Sequence, residues 1–122
     1  MGFVQSYKDL LVFKAAYALA LDIRPLTHEM PKFEQFGGIA DQMRRASTGI
    51  CANLAEGFGK NQSKAEFRRF VNMSLGSASE MEVWLLFAAD FGYIESSLSA
   101  ELRGRYEEVS KMLRGLEQKL SK

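Results

Sequence analysis

Apolar residues recur along this chain at intervals of three and four, broken by short runs of glycine, proline and serine. Nowhere do they alternate long enough to argue for a strand. Four helical segments follow. The first is predicted from about Tyr7 to Glu29, with Leu10, Leu11, Phe13, Tyr17, Ala18 and Leu21 on one broad apolar face. Pro25 has no amide to offer the Leu21 carbonyl and its ring crowds that oxygen, so a kink or break is expected between Leu21 and Pro25. Pro31 then ends the segment. A connector through Lys32, Phe33, Glu34 and Gln35 reaches Gly37 and Gly38. The second helix follows, and Gly57 and Gly59 suit its end.

Ser63 and Glu66 have the spacing of a capping box and mark the start of the third helix. Its core stripe reads Phe67, Phe70, Val71, Ser74, Ala78, Met81, Leu85 and Ala88, and it stops at Gly92. The fourth helix begins after a cap at Ser96, Ser97 or Ser99. Leu98, Leu102, Tyr106, Val109, Leu113, Leu116 and Leu120 then form a regular seam. Short connections favour antiparallel neighbours, so residues 1–122 are expected to form one domain, an all-α, antiparallel up-down-up-down four-helix bundle.

Composition narrows the function classes. With 47% hydrophobic and 25% charged residues the chain is an ordinary globular sequence, and no apolar run approaches the roughly 18 residues needed to cross a bilayer. Residues 1–12 lack the basic and apolar succession of a secretory signal, so a cytoplasmic location and no membrane partner are expected. Cys51 is the single cysteine and His28 the single histidine. The first reads as a small buried hydrophobe and the second as a solvated or helix-terminal residue. No zinc set can be assembled from them, and no metal or cofactor is expected. Formal net charge is +1, but it is unevenly spread. Residues 35–69 carry six bases against three acids, whereas residues 70–94 carry Glu80, Glu82 and Asp90 and no base.

The polar residues of the second helix pose the functional question. Gln42, Arg45, Gly49, Asn53 and Glu56 form one stripe bordering the core, and the third helix offers Gly76, Ser77 and Glu80 opposite it. A structural polar network joining Gln42, Arg45, Asn53, Glu56 and Glu80 across the two helices is expected. A Glu56–Glu80 carboxylate pair would be the catalytic alternative. No nucleophile, metal or oxyanion site accompanies it and no phosphate-binding glycine loop is present, so no catalytic residue is assigned. Arg44, Lys60, Lys64, Arg68 and Arg69 are grouped around the turn between helices two and three. They read either as a solvated face or as a surface for the backbone of RNA or DNA. Trp84, Phe87 and Phe91 lie on a different side of helix three from its core stripe and are expected to form an oligomer interface.

These residues also carry a likeness. QMRRASTGICANLAEGFG, then EFRRFVNMSLGSASEMEV and FGYI, resembles the four-helix-bundle family encoded in 23S rRNA intervening sequences, to which the accessory variability determinant of diversity-generating retroelements is related. Gln42, Arg44, Arg45 and Ala46 match a Q-x-RRA element. Asn53, Ala55, Glu56 and Gly57 match N-x-AEG, and Gly76, Ser77 and Glu80 match GS-x-x-E. The chain departs from the pattern at Thr48-Gly49, at Cys51-Ala52 and at Pro25. The resemblance implies a homopentamer. It also implies nucleic-acid and reverse-transcriptase partners for the retroelement type, whose members are strongly basic. A chain of net charge +1 is more similar to the rRNA-insert type. The expectation is therefore a non-enzymatic oligomeric scaffold that binds RNA or an RNA-acting protein. The alternative is a self-assembling structural module with no nucleic-acid partner.

Overall fold

The structure, a computed structural model, describes residues 4–122. Four helices account for most of them: α1 (Leu11–His28), α2 (Ile39–Gly59), α3 (Lys64–Asp90) and α4 (Ser96–Leu120). Two short 3-10 turns, Tyr7–Asp9 and Lys32–Glu34, precede α1 and α2. Among the described residues there is no strand, as the periodicity predicts.

The helices pack in chain order, α1 on α2, α2 on α3 and α3 on α4, and α1 closes on α4. Paired residues show the directions. Ser74 of α3 donates to the Ile50 carbonyl of α2 at 3.1 Å, and Gly57, further along α2, meets Phe67 and Phe70, earlier on α3. Ser99 of α4 donates to the Leu85 carbonyl at 2.9 Å, and Glu117 pairs with Arg68. Thr27, near the end of α1, meets Arg44 near the start of α2, while Asp22 of α1 meets Arg105 of α4. Numbers rise on one helix as they fall on its neighbour across α2–α3 and α3–α4, so these pairs are antiparallel, and the end of α1 adjoins the start of α2.

Core residues of α3 are the predicted stripe, Phe67, Phe70, Val71, Ser74, Ala78, Met81, Leu85 and Ala88. On α4, Leu102, Tyr106, Val109 and Leu113 are buried, and Leu98, Leu116 and Leu120 pack partly against them. Each fully buried large side chain contributes about 1.5–3 kcal/mol of transfer free energy, and these seams share the core with Leu19, Ile23, Met43, Ile50 and Leu54 of the first two helices.

The first helix differs from its prediction in three respects. Its start is not at Tyr7: a 3-10 turn comes first, closed by a full capping box between Ser6 and Asp9, and the α-helix opens at Leu11. It also runs unbroken through Pro25. Leu21 and Pro25 both lie on the exposed side, so water can serve the carbonyl that the proline leaves without a donor, while Ile23 and Thr27 hold the opposite side in the core. The buried face is Val12, Ala16, Leu19, Ile23 and Thr27, whereas Leu11, Tyr17 and Leu21 are 70%, 51% and 59% exposed. Two apolar stripes share this helix, and the one with the smaller side chains fits the close contact with the bundle.

Helix ends hold further corrections. Gly57 does not terminate α2. It is buried inside the helix, where an added Cβ would lie 2.7 Å from Phe70 Cβ, and Lys60 is the C-cap. Ser63 caps α3 through the Glu66 amide at 3.2 Å, but the Glu66 carboxylate turns to Arg69 instead of completing the box. Glu95, not a serine, is the N-cap of α4. Gly92 has φ +81° and ends α3 in the left-handed conformation that favours glycine.

Candidate functional site

The five basic residues of the expected nucleic-acid surface divide between the two ends of the bundle. Arg44 lies on α2 sixteen residues before Lys60, about 24 Å along a helix rising 1.5 Å per residue, so it does not belong to the basic turn. Its guanidinium is a clamp. Nη1 donates to Thr27 Oγ1 at 2.9 Å and to Gln35 Oε1 at 3.0 Å, and Nη2 donates to the Gln35 carbonyl at 2.9 Å. Gln35 in turn donates through Nε2 to the carbonyls of Thr27 and Met30. The whole α1–α2 connection is thus folded around one arginine. Nothing in the chain's periodicity singled out Gln35 or Thr27.

Two carboxylates secure the same end. Glu34 accepts from the Ile39 amide at 3.0 Å and from the Tyr93 hydroxyl at 2.7 Å, tying the start of α2 to the α3–α4 connection. The bond to Glu34, with burial second, holds the Tyr93 phenol above its usual pKa. Asp41 accepts from the Gly37 amide at 2.9 Å and from Arg45 Nε at 3.1 Å. The Gly37 amide is the largest influence and, with Arg45, draws its carboxyl below the usual range, against burial, the second-largest influence, which raises it.

At the opposite end, Lys60, Lys64, Arg68 and Arg69 surround the α2–α3 turn, and all four are exposed. Arg68 pairs with Glu117 of α4, and Arg69 pairs with Glu66 at 3.3 Å while lying 4.5 Å from the Phe70 ring centre. Lys64 Nζ reaches the Lys122 backbone oxygen at 3.3 Å. Lys60 sits at the C-terminus of α2, where a cation complements the helix dipole. Phe58 and Phe67 meet edge to face at 6.0 Å beneath the turn as packing groups.

The expected polar network does not form within the chain. Arg45 turns to Asp41 one helical turn away, Glu80 accepts from the Trp84 indole at 2.9 Å, and no hydrogen bond links Gln42, Asn53 or Glu56 to them. Arg45, Glu56 and Glu80 are exposed, because the small residues bring the backbones together without drawing the flanking charges inside. A Cβ added at Gly49 would meet Ser77 Oγ at 3.7 Å, ordinary contact distance. Among the described residues no group of three or more His, Cys, Asp and Glu is placed to hold a metal ion. Nor is any helix long and apolar enough to cross a membrane.

Two apolar surfaces remain. On α3, Phe87 and Phe91 are 44% and 53% exposed, with ring centres 5.5 Å apart, and they continue a ladder from half-buried Trp84 to Tyr93. Between α1 and α2 runs a groove of about 330 Å³, walled by Phe13, Tyr17 and Leu21 and floored by Cys51, Ala52 and Ala55. Periodicity had assigned its α1 wall to the core. Cys51 is half-buried there, and desolvation pushes its thiol up to about 11, so it is inert as a nucleophile at neutral pH. His28 is exposed at the end of α1.

Residues 8–115 match the family model described as 23S rRNA-intervening sequence protein. The chain belongs to this family. A 23S rRNA-intervening sequence protein is thus a four-helix bundle whose matched segment contains both the arginine clamp and the two apolar surfaces. Among solved structures the chain is similar to a crystal structure of a protein of unknown function from the S23 ribosomal protein family of Bacteroides thetaiotaomicron. The two share 26% identity with a TM-score of 0.80, over 91% of this chain and 98% of that one. No curated protein matches the chain.

Proposed function

We propose that this 23S rRNA-intervening sequence protein is a non-enzymatic scaffold that works as a self-assembled oligomer. The observation that carries this reading is the aromatic ladder on α3. Two neighbouring phenylalanines about half exposed, continued by Leu86 and Val83 at 46% and 47%, are costly to leave in water and have the composition of an interface core. The size of the assembly, a pentamer by the resemblance in sequence, belongs to the same proposal. Its test is the double variant Phe87→Ser, Phe91→Ser. Both side chains are solvent-facing in the single chain, so the variant keeps its helical circular dichroism while losing association. An assembly that survives the double substitution would exclude the ladder as the contact.

A second reading adds RNA. Its support is the exposed Lys60 and Lys64 at the α2–α3 turn, which a ring would repeat in every subunit and so convert weak single contacts into avidity. Arg68 and Arg69 are already paired within the chain, and this makes the scaffold reading the stronger of the two. Anisotropy of a labelled RNA across a salt series tests it. Binding that falls with log salt and is lost in Lys60→Glu, Lys64→Glu supports it, and no binding at low salt removes it.

A further inference from the structure

We propose that the α3 ladder of one copy of this chain seats in the α1–α2 groove of the next, a head-to-tail contact; the proposal rests on the self-assembly reading. The two surfaces differ in shape. Phe87 and Phe91 project from a helix, and the groove is a concavity of about 330 Å³. A projecting patch and a receiving cavity on the same chain define a heterologous contact, not a self-complementary two-fold one.

Charge is complementary as well. The charged residues lining the groove are Arg24 and Arg44, with no carboxylate among the lining residues. Arg24 is exposed and forms no ion pair within the described residues. The ladder lies in the segment 70–94, whose only charges are Glu80, Glu82 and Asp90. Glu82 faces Glu107, Arg103 and Arg114 of α4, which leaves Glu80 and Asp90, both exposed, beside the aromatic rings. Seating the ladder brings these acids to the arginine rim.

The two surfaces lie on different faces of one chain, so both can be engaged at once. The groove belongs to the α1–α2 face. The ladder belongs to the α2–α3 face, because Ser77, which meets Gly49 of α2, shares its line on α3 with Trp84 and Phe91 at steps of seven. The two faces adjoin along α2.

Complementation tests the contact. One variant carries Ala52→Arg, which fills the groove from an exposed position, and the other carries Phe87→Ser with Phe91→Ser. Each alone is expected to have the mass of one chain, 13.7 kDa, with the helical spectrum retained. Mixed in equal amounts at tens of micromolar they are expected to form a dimer and nothing larger, since one intact ladder meets one intact groove and no second pair exists. Leu21→Glu, on the opposite wall, is expected to replace Ala52→Arg with the same result. A wild-type protein that assembles while both groove variants still assemble would overturn the ladder-in-groove contact and leave self-assembly standing. Failure of the mixture to dimerise would also overturn it. A wild-type protein of one-chain mass would remove self-assembly and the contact together.

Discussion

Replacing Arg44 with alanine separates an architectural arginine from a binding one. The guanidinium makes three hydrogen bonds, to Thr27 Oγ1, Gln35 Oε1 and the Gln35 carbonyl, all between 2.9 and 3.0 Å. Hydrogen bonds from a charged donor contribute about 1.5–3 kcal/mol each, but Arg44 and Gln35 are only half-buried and water replaces part of what is lost. A net destabilisation of about 2–4 kcal/mol is expected. Arg45→Ala is the control. That side chain is 73% exposed and makes a single pair with Asp41 one turn away, so its loss costs about 0.3–0.5 kcal/mol. Urea unfolding followed by circular dichroism, at one fixed protein concentration because association adds to apparent stability, measures both. Arg44→Lys keeps the charge but not the fork that spans Thr27 and Gln35, and recovers less than half of the loss. Equal changes below about 0.5 kcal/mol for Arg44→Ala and Arg45→Ala would refute the clamp.

Other substitutions test the packing. Gly57→Ala sets a methyl against Phe70 and Phe67 and is expected to cost about 1–3 kcal/mol, while Gly104→Ala, with nothing within 4 Å, gains about 0.5–1 kcal/mol of helix propensity; both are read by urea midpoint. The Tyr106 hydroxyl is buried without a hydrogen-bond partner, and burial raises its pKa, so Tyr106→Phe is expected to stabilise by about 1 kcal/mol in the same assay. With its thiol near 11, Cys51 is about 0.1% thiolate at pH 8; its alkylation by iodoacetamide is therefore expected to run at about a hundredth of the rate of an unhindered cysteine or slower. Its rate rises tenfold per pH unit through pH 10, and a rate that levels off near pH 8.5 would contradict the burial of the sulfur.

The sequence predicted the core faces of the third and fourth helices well because each has a regular stripe running the length of the helix, and on α3 the second aromatic set is short and lies clear of that stripe. Ser74 was readable as a position on the α3 stripe and Ser99 as a candidate cap, but neither as a donor, to Ile50 and Leu85 respectively, since a hydroxyl's partner depends on the neighbouring helix's register. The first helix misled because it has two stripes. The reading followed the stripe with the larger side chains, whereas Val12, Ala16, Leu19, Ile23 and Thr27 fill the core and Phe13, Tyr17 and Leu21 went to the groove. Arg44 and Lys60 looked like one cluster in a list of charges, yet a straight α2 carries them to opposite ends. Arg45, Glu56 and Glu80 were expected to join because small residues adjoin them. Close backbones do not oblige long charged side chains to turn inward when solvent is adjacent.

Sedimentation velocity of the wild-type protein across micromolar concentrations tests self-assembly most directly. The account predicts a discrete species several times heavier than one 13.7 kDa chain, about 68 kDa for five copies, that dissociates in the Phe87→Ser, Phe91→Ser variant. A single 13.7 kDa species for the wild type at every concentration would contradict it.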